Sequence, residues 1–418
     1  AFSAKLNTSG IENTAVGYVS LCKNTTGSYN VAVGSEALSC NTSGNRNTAI
    51  GRTSLFKTTT GSNNTAVGMY AGLCNQTGSD NVSIGYLANR TAATVSNNTA
   101  VGACALCNNT TGSNTALGFS ALFSATTGNY NTSLGTQSSL YTTTASNNAI
   151  VGFQAAKKTT TGGLNTVVGS QAFVENTTGS QNTASGYKAL TSNTTGSFNT
   201  ASGLCAMHAM TTGSYNSAFG CGAMRYNTGS YNTAFGRQAL FQGTGTGNTA
   251  LGNNSMISLT TGHCNTSVGS GAGYYTTSGI YNTFVGMNTG QSNSTGHRNT
   301  GLGFYSLRQA TTATYNTASG AYALANATTG GSNAAFGYKA SLNNTTGGYN
   351  TAIGYTALSF VTTGNCNIAL GYGAGDEITT QSNTITIGAN AVSCGSNTTV
   401  IGNSSTTCTY ITSPLHAC

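Results

Sequence analysis

The chain has 418 residues and a formal net charge of +8, yet only 5% of its residues are charged. It contains 57 glycines, one proline and no tryptophan. Soluble domains usually carry charges on about a quarter of their residues, so this composition excludes an ordinary globular surface and is typical of a repetitive structural protein.

The 14 Lys and Arg residues are scattered along the chain from Lys5 to Lys339. Nucleic-acid binding through counterion release needs basic residues massed on one face, so we expect no nucleic-acid partner. No window approaches about 18 consecutive apolar residues, and we therefore expect no membrane insertion.

Tandem repeats that end in glycine occupy most of the chain. The strings at residues 13–17 and 47–51 recur every 17 residues, with steps of 16 at Gly118, Gly236 and Gly252. We expect residues 1–402 to form one continuous array of about 24 repeats, followed by an atypical C-terminal tail or docking segment at 403–418. The array leaves no room for a separate catalytic domain.

Each repeat predicts one strand and one turn. The first Asn-Thr-Ala-Val-Gly string, at residues 13–17, predicts a strand of about five residues, and the Thr-Thr-Gly-Ser string at 25–28 predicts a turn. Seventeen residues suit one rung of a coil that pairs with the rungs above and below it. We therefore predict an all-β fold, a parallel β-solenoid or β-roll.

Two columns of side chains are expected inside this coil. Leucines such as Leu21, Leu38, Leu55, Leu190, Leu240 and Leu358 would stack as an aliphatic core. An asparagine recurs before the strand, and stacked asparagines can form an amide ladder that satisfies buried polar groups. The ladder residues are Asn13, Asn30, Asn47, Asn199, Asn232, Asn316 and Asn350. An asparagine-lined ligand groove is the alternative.

Alternation along the strand places Thr14 and Val16 on one face and Ala15 and Gly17 on the other. Neither face is charged, so one face can fill the interior while the other meets another chain. We therefore expect a homo-oligomer.

The two ends of the array predict head-to-tail stacking. Ala1 falls on the first position of a repeat, and an uncapped rung can pair with another chain. Ala1 and Cys418 are the candidate intersubunit residues. The alternative is a fragment whose caps lie outside the sequence.

Twelve cysteines without metal-ligand spacing point to an oxidising compartment. The repeat register suggests intrachain disulfides between residues of one rung or of successive rungs. The candidate pairs are Cys22 with Cys40, Cys104 with Cys107, Cys205 with Cys221, and Cys394 with Cys408.

Acceptor strings for N-glycosylation recur at one repeat position within the predicted turn, which we expect to face solvent. Chance occurrence in an Asn- and Thr-rich repeat is the alternative. The candidate sites are Asn7, Asn24, Asn41, Asn75, Asn109, Asn176, Asn193, Asn293 and Asn344.

The sequence offers few candidates for a catalytic or metal site. Of the six acidic residues only Asp376 and Glu377 are sequence neighbours, and adjacent residues on a strand point to opposite faces. His263 and His297 stand two rungs apart, which is too far for both to bind one metal ion directly. We expect no catalytic residues, no metal and no cofactor, and hence no enzyme.

The strings at residues 13–17, 47–51, 81–85 and 350–354 resemble the head repeats of YadA-type trimeric autotransporter adhesins. The longer Thr-Thr-Gly-Ser-Tyr-Asn-Thr-Ala-Val-Gly phrase is similar to repeats of phage and algal-virus tail-fibre-like proteins. The resemblance implies a left-handed, often trimeric β-roll that is displayed outside a cell or virion and used for attachment.

The repeats and the resemblance leave three candidate functions. We expect a non-enzymatic extracellular structural subunit that stacks end to end into a filament or fibre. The first alternative is a trimeric adhesin or tail-fibre shaft at a cell or virion surface, which would bind surface glycans through tyrosine columns such as Tyr29, Tyr215, Tyr231, Tyr338, Tyr355 and Tyr372. The second is an ice-binding solenoid that uses threonine pairs such as Thr59–Thr60, Thr110–Thr111 and Thr211–Thr212.

Overall fold

A computed structural model describes residues 3–408 of the chain. The chain forms two compact units, Ala1–Asn216 and Ser217–Cys418, called unit 1 and unit 2 here. Both are all-β, and no helix occurs among the described residues. The predicted all-β parallel β-solenoid is confirmed, whereas its left-handed coil stays a prediction. Ala1 and Cys418, the candidate intersubunit residues, lie outside the described part.

Unit 1 contains twelve three-residue strands in one parallel sheet. They are β1 Thr14–Val16, β2 Val31–Val33, β3 Thr48–Ile50, β4 Thr65–Val67, β5 Val82–Ile84, β6 Thr99–Val101, β7 Thr115–Leu117, β8 Thr132–Leu134, β9 Ala149–Val151, β10 Thr166–Val168, β11 Thr183–Ser185 and β12 Thr200–Ser202.

Unit 2 contains twelve more strands of this kind, also parallel. They are β13 Ser217–Phe219, β15 Thr233–Phe235, β17 Thr249–Leu251, β18 Thr266–Val268, β19 Thr283–Val285, β20 Thr300–Leu302, β21 Thr317–Ser319, β22 Ala334–Phe336, β23 Thr351–Ile353, β24 Ile368–Leu370, β25 Ile385–Ile387 and β26 Thr399–Ile401. A second small sheet pairs β14 Tyr226–Asn227 with β16 Gln242–Gly243.

The register of the strands equals the sequence repeat. Thr14 pairs with Val31, and Val31 pairs with Thr48, so one rung comprises 17 residues. We number rung positions 1 to 17, as from Ser35 at position 1 to Gly51 at position 17. A column is the set of residues at one position in successive rungs.

The interior of each rung is filled by small and aliphatic side chains. In the rung of β3, Ala37, Leu38 and Ala49 at positions 3, 4 and 15 are all 0% exposed. The leucines predicted to form the core are fully buried, with Leu55 the most exposed at 1%. Burial of these apolar columns stabilises the fold through the hydrophobic effect.

The asparagines of position 13 form a hydrogen-bonded column. Asn47 donates its backbone N–H to Asn30 Oδ1 at 2.9 Å and its Nδ2 to Gly61 O of the next rung at 2.8 Å. Each side chain thus joins three successive rungs. Where position 13 is Thr384, the hydroxyl donates to Asn367 Oδ1 at 2.8 Å and keeps the column bonded.

Position 17 is glycine because successive rungs approach too closely for a side chain. A Cβ on Gly303 would lie 2.8 Å from the carbonyl oxygen of Gly320, and the φ of Gly303 is +126°. Both the contact and the backbone angle exclude other residues without local rearrangement.

Positions 2, 4 and 12 adopt left-handed backbone angles although most of their residues are not glycine. In the rung of β3 these are Glu36, Leu38 and Arg46, with φ between 52° and 61°. The conformation costs about 1–2 kcal/mol per residue. Bonds between rungs hold it in place, since Leu38 N donates to Ser54 O at 3.0 Å and Arg46 N donates to Ser28 O at 3.0 Å.

Candidate functional site

One repeated surface is the outward side of the strands, which we call the sheet face. It consists of positions 14 and 16, mostly threonine at 14 and Val, Ile, Leu or Phe at 16. In unit 2, Phe235, Phe336 and Ile353 are 55%, 42% and 41% exposed. The predicted alternation is present, because the residue between them in each strand is buried.

No charged residue occurs at positions 14 and 16 in any rung of either unit. Contiguous exposed apolar side chains are uncommon on an ordinary solvated surface, which makes this face the candidate interaction surface.

Aromatic columns flank the sheet face on both sides. At position 1, Tyr355 stacks on Tyr338 and on Tyr372, with ring centroids 5.1 and 5.3 Å apart. At position 12, Phe198 and Tyr215 stack at 4.7 Å with an angle of 4° between the rings. The ring faces are turned toward each other, so the column leaves ring edges and hydroxyls for a ligand.

Charged side chains in the position-12 column are placed against these rings. The Arg298 guanidinium lies 5.5 Å from the Tyr281 ring centroid and 5.3 Å from that of Tyr315. Its Nη1 also donates to the Tyr315 hydroxyl at 2.8 Å. The cation therefore bridges rungs instead of standing free in solvent.

The first threonine of each pair proposed for ice binding lies at position 8, where several hydroxyls are already used within the solenoid. The position-8 hydroxyls donate along the axis to the backbone of the next rung, as in Thr59 Oγ1 to Gln76 O at 3.2 Å and Thr177 Oγ1 to Thr194 O at 3.0 Å. These donors are not available to a water lattice.

The expectation that the predicted glycosylation sites face solvent is wrong for eight of the nine. Asn7 is exposed, but Asn75 is only 2% exposed. The seven others, all at 0%, are Asn24, Asn41, Asn109, Asn176, Asn193, Asn293 and Asn344. The reason is that position 7 points inward and forms a second amide column. Asn24 Nδ2, for example, donates to Asn7 Oδ1 and to Gly27 O, both at 2.8 Å.

None of the predicted intrachain disulfides is formed. Cys22, Cys40, Cys104, Cys107, Cys205, Cys221, Cys394 and Cys408 are free thiols, as are the three other cysteines of the described residues. Cys40 stacks in its column above Lys23, with Nζ to Sγ at 4.0 Å, while Cys22 occupies the neighbouring position. Cys107 is 3% exposed, and burial raises the pKa of its thiol.

Acidic residues do not converge on a reaction centre. Glu175 forms an exposed ion pair with Lys158 at 2.7 Å. Within residues 3–408, no three His, Cys, Asp or Glu side chains lie close enough to hold a metal ion. The same residues include no helix with the length and apolarity needed to cross a membrane.

Sequence reasoning missed the period of the turn segment. From position 7 to position 13 the buried residues recur every third residue, as Asn41, Gly44 and Asn47. The Asn-x-x-Gly-x-x-Asn spacing in the repeat carries this signal. It would have placed position 7 inside the coil.

No protein-family model matches the chain, and no curated protein matches it by sequence.

Proposed function

We propose that the protein is a non-enzymatic structural subunit of an extracellular fibre, in which copies of the chain associate through the sheet face and stack end to end. The observation that carries the proposal is the uncharged column at position 16 of each unit, whose side chains are apolar except at Ser185, Ser202 and Ser319. An extracellular location rests on the resemblance to adhesin-head repeats.

The sheet face and the aromatic columns that flank it are together large enough for a stable contact. Twelve strands about 4.8 Å apart, with a width of about 17 Å from the flanking column at position 12 to that at position 1, present roughly 1,000 Å² in each unit. A standard protein interface buries about 800 Å² on each partner.

A second copy of this chain is the partner that fits the face best. The exposed side chains of the sheet face repeat at the spacing of the rungs. Only another sheet with the same spacing can insert apolar side chains between them along the whole length of the face. Because columns 14 and 16 lack charge, a charged partner surface would lose its hydration without gaining an ion pair. Two or three copies arranged around one axis would bring uncharged sheet faces together.

End-to-end stacking is supported by the identical edges of the rungs. Thr317 N donates to Asn333 O, and Gly337 N donates to Ser319 O, both at 2.8 Å. The same backbone groups recur in nearly every rung, so rungs from two copies offer complementary donors and acceptors.

Electron microscopy of the purified full-length chain over a concentration series tests the proposal. We expect fibres that lengthen or thicken with concentration. Single, unassociated solenoids at every concentration would refute it.

A further inference from the structure

We propose that unit 2 binds a neutral oligosaccharide in a groove that runs along the axis between positions 6 and 8. This proposal goes beyond the structural role, since it assigns a ligand to a surface that the sheet face does not use. The groove is open to solvent along its length, and its volume is about 660 Å³, within the range of ligand sites.

Amide side chains form one wall of the groove. Gln309, Asn326 and Asn343 occupy position 6 in three successive rungs. Asn326 Nδ2 donates to Asn343 Oδ1 at 3.0 Å, which leaves Asn326 Oδ1 as an acceptor and Asn343 Nδ2 as a donor toward a ligand. Sugar hydroxyls both donate and accept, and amides match both roles.

The same wall continues with an aromatic ring and one carboxylate. Phe360 is 55% exposed beside the groove and offers a surface on which the C–H face of a sugar ring can pack. Glu377, one rung further, is held in place because its Oε1 accepts a hydrogen bond from Ser393 N. A lone acidic group among amides favours a neutral ligand over an anionic one.

The opposite wall excludes an extended peptide as the ligand. Thr345 N donates to Thr362 O at 2.9 Å, and Thr345 Oγ1 donates to the same oxygen at 3.1 Å. Because the backbone groups here are already paired between rungs, none remains for a strand added from a peptide.

Unit 1 provides a matched groove of different chemistry. There the corresponding side chains include Lys23, Cys40 and Lys57, and the volume is about 380 Å³. It lacks the position-6 amides and the aromatic ring, and its one amide, Gln76, lies at position 8, so it serves as an internal control.

Isothermal titration of the full chain with chitohexaose, cellohexaose and mannohexaose tests the proposal, with a galacturonate oligomer as the anionic probe. We expect at least one neutral probe to bind. Phe360→Ala and Asn343→Ala should each weaken that binding about tenfold, while Lys57→Ala in the control groove leaves it unchanged.

Circular dichroism and the thermal midpoint establish that each variant is folded. No binding by any neutral probe, binding of the galacturonate oligomer alone, or binding that survives Phe360→Ala would overturn the inference. Oligomeric state is read separately by sedimentation, so failure here is distinguishable from failure of the proposed fibre.

Discussion

Asn316 donates its backbone N–H to the Oδ1 of Asn299, one rung away, at 3.1 Å. Asn299 in turn donates its own Nδ2 to Ala313 O at 2.7 Å. One buried side chain therefore satisfies two backbone groups of the next rung, and this repeated contact stabilises a coil that has very few ion pairs.

Replacing Asn299 with alanine should destabilise unit 2 by about 2–4 kcal/mol, because it leaves Asn316 N–H and Ala313 C=O buried without these partners. Denaturant unfolding followed by circular dichroism measures the change. Asn253→Ala is the control, since Asn253 is exposed, and it should stay within about 0.5 kcal/mol of the parent chain. Equal losses for the two variants would show that the column does not stabilise the fold.

The position-17 glycines should tolerate no side chain. Gly303→Ala combines a φ of +126° with a Cβ only 2.8 Å from Gly320 O, so we expect a loss of more than about 3 kcal/mol. Gly348→Ala, at a position with ordinary φ where other rungs have serine such as Ser28, should be nearly neutral. The thermal unfolding midpoints compare the two variants. A neutral Gly303→Ala would contradict the close approach of the rungs.

Glycine should stabilise the solenoid at the left-handed positions. Ser332 at position 12 is exposed and has a φ of 59°, while Gly247 at the same position of another rung has a φ of 68°. Ser332→Gly relieves the steric cost but adds flexibility to the unfolded chain, for a net gain of up to about 1 kcal/mol. Thr351→Gly, inside strand β23, should instead lower the unfolding midpoint. A lower unfolding midpoint for both variants would contradict the left-handed backbone angle of Ser332.

Cys107 should react with iodoacetamide more slowly than the exposed Cys366. Burial raises the pKa of the Cys107 thiol, so the thiolate fraction near neutral pH is below that of an unperturbed thiol. Mass spectrometry of timed digests measures both rates. The Cys107 rate should continue to rise with pH in the alkaline range, and labelling as fast as that of Cys366 at neutral pH would contradict its burial.

The repeat period and the fold class were predictable from sequence, because the glycine of position 17 marks every rung and the leucine of position 4 marks the core. The inward direction of Asn41 was not predicted. A turn composed of Asn, Thr, Gly and Ser is usually solvated, and only the spacing of Asn41, Gly44 and Asn47 signals burial. The left-handed angles of residues such as Leu38 were also missed, since leucine has no local preference for them.

The groove between positions 6 and 8 of unit 2 could not be predicted from the sequence. Gln309, Asn326, Asn343 and Phe360 share position 6, but the repeat varies there and no motif marks it. Only the parallel stacking of rungs brings these side chains together. Variable columns of a solenoid are therefore visible as a site only after the register is known.

Sedimentation velocity of the full chain, with and without charges on the sheet face, tests the central claim most directly. Phe336→Lys with Ile353→Lys places two charges on the face, and Thr329→Lys with Thr346→Lys places two on the exposed position 9 of the same rungs. The account predicts that the face variant loses side-by-side association, so that it sediments as smaller oligomers than the parent chain and the position-9 variant at the same concentration. Identical sedimentation of all three proteins would contradict it.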